Sequence, residues 1–181
     1  MEKTITKHKW FWAWQDDREE AWLTRMAREG SRLKSINPFG FYTFEAGARQ
    51  DVVYRLDFQN QNRKQDKLDY LQLFADAGWE HVGTMGGWQY FRKAVAAGEE
   101  PELYSDVESK IQKYRRLSAV FVIFLPIMVL LNHRLSQTTT RSEWYAILLF
   151  LSLILLIIYI FCMIQFLRRI NQLKKSRGIR S

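Results

Sequence analysis

The chain has 181 residues, with 27 Lys+Arg against 19 Asp+Glu and a formal net charge of +8. That length allows one soluble domain plus a membrane part, and a single cysteine, Cys162, excludes a disulfide framework within the chain. Residues 1–106 carry 15 Lys+Arg and 17 Asp+Glu and residues 107–181 carry 12 and 2, so the basic excess lies beside the apolar runs and argues against direct nucleic-acid binding.

The opening MEKTITKHKWFWAWQDD lacks the apolar core expected of a signal peptide. Glu2 stands where myristoylation needs glycine, and the closing GIRS carries no prenylation box. Residues 8–14 (HKWFWAW) are strand-like and aromatic. Asp16 followed by Glu19 resembles a capping box, and the helix it starts places Trp22, Leu23, Met26 and Ala27 on one face before Gly30. After the break at residues 38–40, residues 41–45 and 52–58 read as two strands joined by a turn around Gly47. Asn62 with Gln65 predicts a second helix start, with Leu68, Leu71, Phe74 and Ala75 as its apolar face and Gly78 as its C-cap. Residues 79–84 and 88–93 read as a hairpin across Gly86-Gly87.

The order β-α-β-β-α-β with an extra terminal strand predicts a ferredoxin-like α+β sandwich over residues 1–105, with helices on one face of an antiparallel sheet. Period-2 alternation then turns Val52, Tyr54, Leu56 and Phe58 toward the helices and Arg55 and Asp57 away from them. The same sorting adds Lys9, Phe11, Thr43, Glu45, Gln89 and Phe91 to the open face. That face is either solvated, covered by a second copy in a homodimer, or the floor of a ligand site. Lys9, Phe11, Glu45, Arg55 and Asp57 are its candidate contact residues.

No catalytic constellation accompanies it. His8, His81 and His133 are far apart, with no HExxH or paired Cys-His spacing, so no metal site is expected. No GxSxG nucleophile and no GxxxxGK[ST] or GxGxxG phosphate loop occurs, and no cofactor is expected. Glu80 and His81 are adjacent, but neighbours on a strand point to opposite faces. Of the tryptophans, Trp10, Trp12, Trp14, Trp22, Trp79 and Trp88 fall in this part, mostly as core, with one or two available to line a pocket.

A basic connector at 106–113 leads to two apolar runs. Residues 117–131 form a short run, extended to 114–131 by Tyr114 and the snorkelling Arg115 and Arg116. Pro126 lies within it. Residues 132–143 form a polar loop, and residues 144–167 are 24 uncharged residues, about 36 Å as a helix, enough to cross a bilayer core of about 30 Å. The loop holds only Arg134 and Arg141 with Glu143. Four basic residues (Lys110, Lys113, Arg115, Arg116) precede the runs, and six in the tail 168–181 follow them, among them Arg168, Arg169, Lys174 and Lys175. The positive-inside rule therefore predicts a two-helix hairpin in the cell membrane with both termini cytoplasmic and those four tail residues toward the anionic lipid. Neither run carries an internal ionisable residue, which argues against a transporter or channel acting alone.

The segment GWEHVGTMGGWQYFRK at residues 78–93, with the strand DVVYRLDF and the helix DKLDYLQLFADAGW before it, resembles the bacterial domain of unknown function 2812. The resemblance covers roughly residues 7–95 and implies no catalytic residue. Family members are often encoded beside PadR-type transcriptional regulators, which implies a regulatory association. A membrane-tethered cytoplasmic binding or regulatory module is the expected function. The alternatives are an enzyme acting on a small or lipid-derived substrate at the open sheet face, or a small subunit of a membrane complex.

Overall fold

The computed structural model describes residues 4–59, 64–96, 99, 101–103, 107–137 and 143–178. Asn62 of the second helix start, Arg141 of the loop and Arg180 of the tail lie outside the described residues. The chain divides after residue 105 into two compact units.

The first unit is α+β, as expected. Its order is β1 (Thr4–His8), α1 (Asp16–Arg28), β2 (Ser31–Ile36), β3 (Phe41–Ala46), β4 (Val52–Phe58), α2 (Lys64–Asp76), β5 (Glu80–Met85) and β6 (Trp88–Ala94). The strands form two antiparallel three-stranded sheets, β1-β3-β2 and β4-β6-β5, in place of one ferredoxin-like sheet. The strands at 41–45 and 52–58 are therefore no hairpin, because β3 and β4 belong to different sheets. The expected extra terminal strand is β6, and β2 is a further strand that the sequence reading did not place. The aromatic run is not a strand either: β1 ends at His8, and residues 9–15 lead into α1.

Each sheet carries one helix in the order β-α-β-β, so the unit is an internal repeat. The helices start at residues 16 and 64, an offset of 48. At that spacing Trp22 and Met26 correspond to Tyr70 and Phe74, and allowing one deletion Phe44 corresponds to Phe91; all six are buried. Gly40 and Gly87 open the last strand of each repeat at φ of 75° and 88°. A Cβ there would meet the Lys9 carbonyl oxygen at 2.6 Å or the Phe58 ring at 2.8 Å, so both positions demand glycine. Even the irregularities match. The β2–β3 register skips Lys34, between Leu33 and Ser35, and the β5–β6 register skips Val82, between His81 and Gly83. Each is a bulge at the same point of its repeat.

Helix α1 has Asp16, Asp17 and Glu19 in its first turn, where carboxylates favour the helix dipole. Asp16 is inside the helix and Gln15 is the cap, without a side-chain capping bond, so the capping box does not form. Trp22, Leu23, Met26 and Ala27 are buried as expected, and the Trp22 ring lies 4.8 Å from Tyr42 and 5.6 Å from Phe44. In the second repeat Tyr70 and Phe74 pack with Val53, Trp79 and Phe91. Leu71 is partly buried there, while Leu68 and Ala75, expected on the same face, are exposed.

Strand β4 is covered on both faces and along its edge. Val53 packs with α2 residues, while Tyr54 and Leu56, of opposite parity, are also buried. Among the described residues only β6 pairs with β4. The N–H groups of Tyr54 and Leu56 donate to Thr24 Oγ1 at 3.1 Å and Glu20 Oε1 at 2.8 Å, so α1 seals an otherwise open edge. Helices thus do not sit on one face alone.

The second unit is an antiparallel pair, α3 (Val107–Ser136) and α4 (Glu143–Gly178). Within residues 108–134 and 146–175, 18-residue stretches reach mean hydropathy 1.9 and 3.2, so both helices are long and apolar enough to cross a membrane. Helix α3 begins earlier than the expected span and runs through residues 132–136, which were expected in the loop. Pairing runs end to end. Ser152 Oγ donates to Asn132 Oδ1 at 2.9 Å, the Phe121 and Phe166 rings lie 5.2 Å apart, and Arg169 Nε donates to Tyr114 Oη at 3.2 Å. Pro126 cannot donate to the Val122 carbonyl, and one residue earlier the Phe121 carbonyl accepts the Tyr159 hydroxyl at 2.8 Å.

Candidate functional site

Strands β2 and β5 are the outer strands of their sheets and lie side by side. Among the described residues no backbone hydrogen bond joins them. Between them is a cavity of about 110 Å³, lined by residues 33–36, residues 82–84 and Tyr90. Both bulged residues, Lys34 and Val82, line it. The cavity therefore sits where the two repeats meet, bounded by equivalent irregularities from each.

Its wall is mixed. Leu33, Ile36 and Val82 are apolar, and Ser35, Thr84 and Tyr90 bring hydroxyls. Thr84 Oγ1 donates to Gln89 Oε1 at 2.7 Å, and His81 Nε2 meets the same oxygen at 3.0 Å. Burial pushes the His81 pKa down, against the Gln89 bond. Lys34 Nζ lies 2.6 Å from Glu45 Oε1, and Arg32 lies 3.3 Å from Oε2. Bonds from Lys34 and then Arg32 hold the Glu45 carboxyl below its usual range.

Behind Tyr90 lies a buried acid. Glu19 Oε1 accepts the hydroxyls of Tyr42 and Tyr90, each at 2.8 Å. Burial raises the Glu19 pKa and outweighs the two bonds that lower it. The group joins α1 to β3 and β6, and so links the two sheets.

The residues expected on one open face are dispersed. Lys9 and Phe11 lie in the loop before α1, with the Lys9 ammonium 5.1 Å from the Phe11 ring and 4.9 Å from the Trp22 ring. Glu45 stands beside the cavity through Lys34. Asp57 is 0% exposed and accepts the Tyr70 hydroxyl at 2.9 Å, which ties α2 to β4. Arg55 donates from Nη1 to the Tyr54 carbonyl at 2.9 Å and lies 3.7 Å from Glu20 Oε2 and 3.6 Å from Glu102 Oε2. The open face at Arg55 and Asp57 does not exist, because a strand covered on both sides does not sort polar from apolar. In the tail, Arg168, Lys174 and Lys175 are exposed, while Arg169 stacks over Tyr114 at 5.8 Å.

This placement reverses the stability expected of Arg55→Ala. The Arg55 and Glu20 side chains are only 13% and 12% exposed. Removing the cation strands a buried carboxylate, a loss of about 3 kcal/mol at the low end for broken buried pairs. Arg55→Lys should recover part of it. The urea midpoint measures both, and an unchanged midpoint for Arg55→Ala would show that water already screens the pair.

Sequence reasoning missed Glu19 with its two tyrosines, and it missed Lys34, Ser35 and Thr84. The signal that could have found them is the 48-residue repeat, which places both bulges. Residues 15–125 match a family model described as "Protein of unknown function (DUF2812)". No curated protein and no solved structure matches the chain. The match starts at the cap of α1 and ends inside α3, so it takes in most of both repeats and the start of the first long apolar helix. The chain belongs to the DUF2812 family.

Proposed function

We propose that the chain is a membrane-tethered cytoplasmic binding module, in which the cavity between β2 and β5 takes a small ligand and passes its occupancy to a protein partner. The observation that carries this reading is the position of the cavity. A ligand there touches both repeats at once, so binding favours one mutual arrangement of the two sheets. A volume of about 110 Å³ is somewhat less than the roughly 150 Å³ that holds benzene. The fitting ligand is compact, or is the end of a larger molecule, with an apolar body and one hydrogen-bonding group. The regulatory association that the resemblance implies makes a PadR-type regulator the first partner to test, with a membrane complex second.

Binding is favoured over catalysis by the polar wall itself. With Gln89 Oε1 as acceptor, the His81 Nε2 bonded to it carries the proton. It then cannot take a proton from Thr84, 3.4 Å away. The flanking basic clusters favour both termini on the cytoplasmic side. Reporters inserted near Thr139 and fused after Ser181 are expected on opposite sides of the membrane, and finding both on one side would remove the hairpin.

The ligand site has its own test. A Cβ at Gly83 would meet nothing within 4 Å, and its backbone needs no positive φ, so Gly83→Leu should fold and fill the cavity. Full-length protein is screened by thermal shift against small alcohols, phenols and carboxylic acids. Compounds that raise the wild-type melting temperature are expected to leave Gly83→Leu unmoved. Equal shifts in both proteins would place the binding elsewhere.

A further inference from the structure

The loop before α1 and the turn between β2 and β3 together expose an aromatic corner. In the first unit, six large apolar side chains are exposed among the described residues: Trp10, Trp12, Phe39, Phe41, Leu68 and Leu73. The four aromatic ones gather at this corner. The Trp10 and Trp12 rings meet edge-on at 6.3 Å, and His8 contacts Phe41 at 4.7 Å and reaches the Phe39 carbonyl at 3.2 Å. Lys9 N–H donates to the Gly40 carbonyl at 2.9 Å, which closes the loop onto the turn.

The corner is held rigidly. Asn37 Oδ1 accepts the N–H groups of Phe39 and Phe41 at 3.0 and 3.1 Å, an Asx-type turn that fixes Phe39 outward at 72% exposure. Trp10 is 57% exposed, and Trp12 stacks on Trp14 at 5.2 Å. Water-exposed aromatics in a contiguous, ordered patch mark a contact surface. Neither the ligand cavity nor the core uses them.

We propose that this corner inserts into the interfacial layer of the membrane that holds α3 and α4, and so docks the soluble unit on the lipid surface. Three observations select lipid as the occupant. The exposed residues are tryptophan and phenylalanine, whose rings suit the headgroup level of a bilayer. Lys7 and Lys9 lie in the same segment and give this side of the unit a basic charge that complements anionic headgroups, with Lys7 Nζ 3.3 Å from Met26 Sδ and the Lys9 ammonium over the Trp22 ring. The link from Ala94 to Val107 has 12 residues between them and spans at most about 45 Å when extended, so the first unit is tethered near the bilayer. Docked this way, the rings enter the headgroup region by about 5–10 Å, as interfacial elements do.

The test uses the full chain in nanodiscs containing phosphatidylglycerol. A nitroxide is placed at Phe39→Cys on a Cys162→Ala background, and a control label at the exposed Gln72 of α2. Collision with oxygen, which concentrates in lipid, is compared with collision with a water-soluble nickel chelate. The Phe39 label is expected to favour oxygen several-fold over the control. Trp10→Ser with Trp12→Ser should return it to the control value without moving the melting temperature, since both rings are exposed. Nanodiscs of phosphatidylcholine alone should give a smaller oxygen preference. An aqueous Phe39 label overturns the proposal. So does a label shielded from both reagents, which would assign the corner to a second copy or another protein.

Discussion

Phe91→Ala is expected to destabilise the first unit by about 3–5 kcal/mol, the range for emptying a buried aromatic site. The Phe91 ring is fully buried, 4.8 Å from Phe74 and 6.0 Å from Tyr70. Its counterpart Phe44 is equally buried, against Trp22. Phe44→Ala should therefore cost a similar amount, although it sits in the other sheet. Both variants should shift one common transition in denaturant, because α1 bonds to the edge of β4 and so couples the repeats. Two separate transitions, each moved by one variant only, would mean that the repeats fold as independent bodies.

Glu19→Leu is expected to be as damaging and Glu19→Gln nearly silent. Leucine leaves the buried hydroxyls of Tyr42 and Tyr90 without their acceptor, at about 1–3 kcal/mol each. Glutamine keeps an oxygen where Oε1 stands, and both tyrosines donate to that one oxygen. The same geometry lets the wild-type carboxyl hold a proton on Oε2 without losing either bond, in keeping with its raised pKa. The sign follows. The native state keeps this proton at pH values where the unfolded chain, near 4.5, has released it. Stability from Glu19 is thus full below about 4.5 and declines as pH rises through the folded pKa. Glu19→Gln should lack that decline, and wild-type and variant denaturation curves collected from pH 4 to 8 should diverge upward. Parallel curves would show that Glu19 is ionised throughout.

Helices α1 and α2 were legible because apolar residues recur at helical spacing in each and Gly30 and Gly78 follow them. The hairpin across Gly86-Gly87 was legible for the same local reason. Strand β2 was not: SRLKSI breaks its alternation at Lys34, where the bulge inserts an extra residue, so period 2 fails within six residues. Residues 8–14 carry the composition of a strand without its burial, since Trp10 and Trp12 face solvent. Strand β4 misled differently. Its alternation is real, but Asp57 sits on a face closed by α2, where the Tyr70 hydroxyl satisfies it. Pairing of a carboxylate with a distant phenol leaves no periodic trace. The cavity and the Glu19 group depend on contacts between repeats, which spacing along one strand does not encode.

The cross-strand ion pairs bear on how the two halves of the chain fit one another. In the first repeat Arg32 stands opposite Glu45, and in the second Glu80 stands opposite Arg92, the same positions with the signs exchanged. Arg32 also acts across the junction, helping to hold the Glu80 carboxyl below its usual range after the larger effect of Arg92. The exchanged signs set unlike charges, Arg32 and Glu80, toward each other across the junction of the two halves, and the five residues between Ala46 and Val52 keep those halves permanently beside one another.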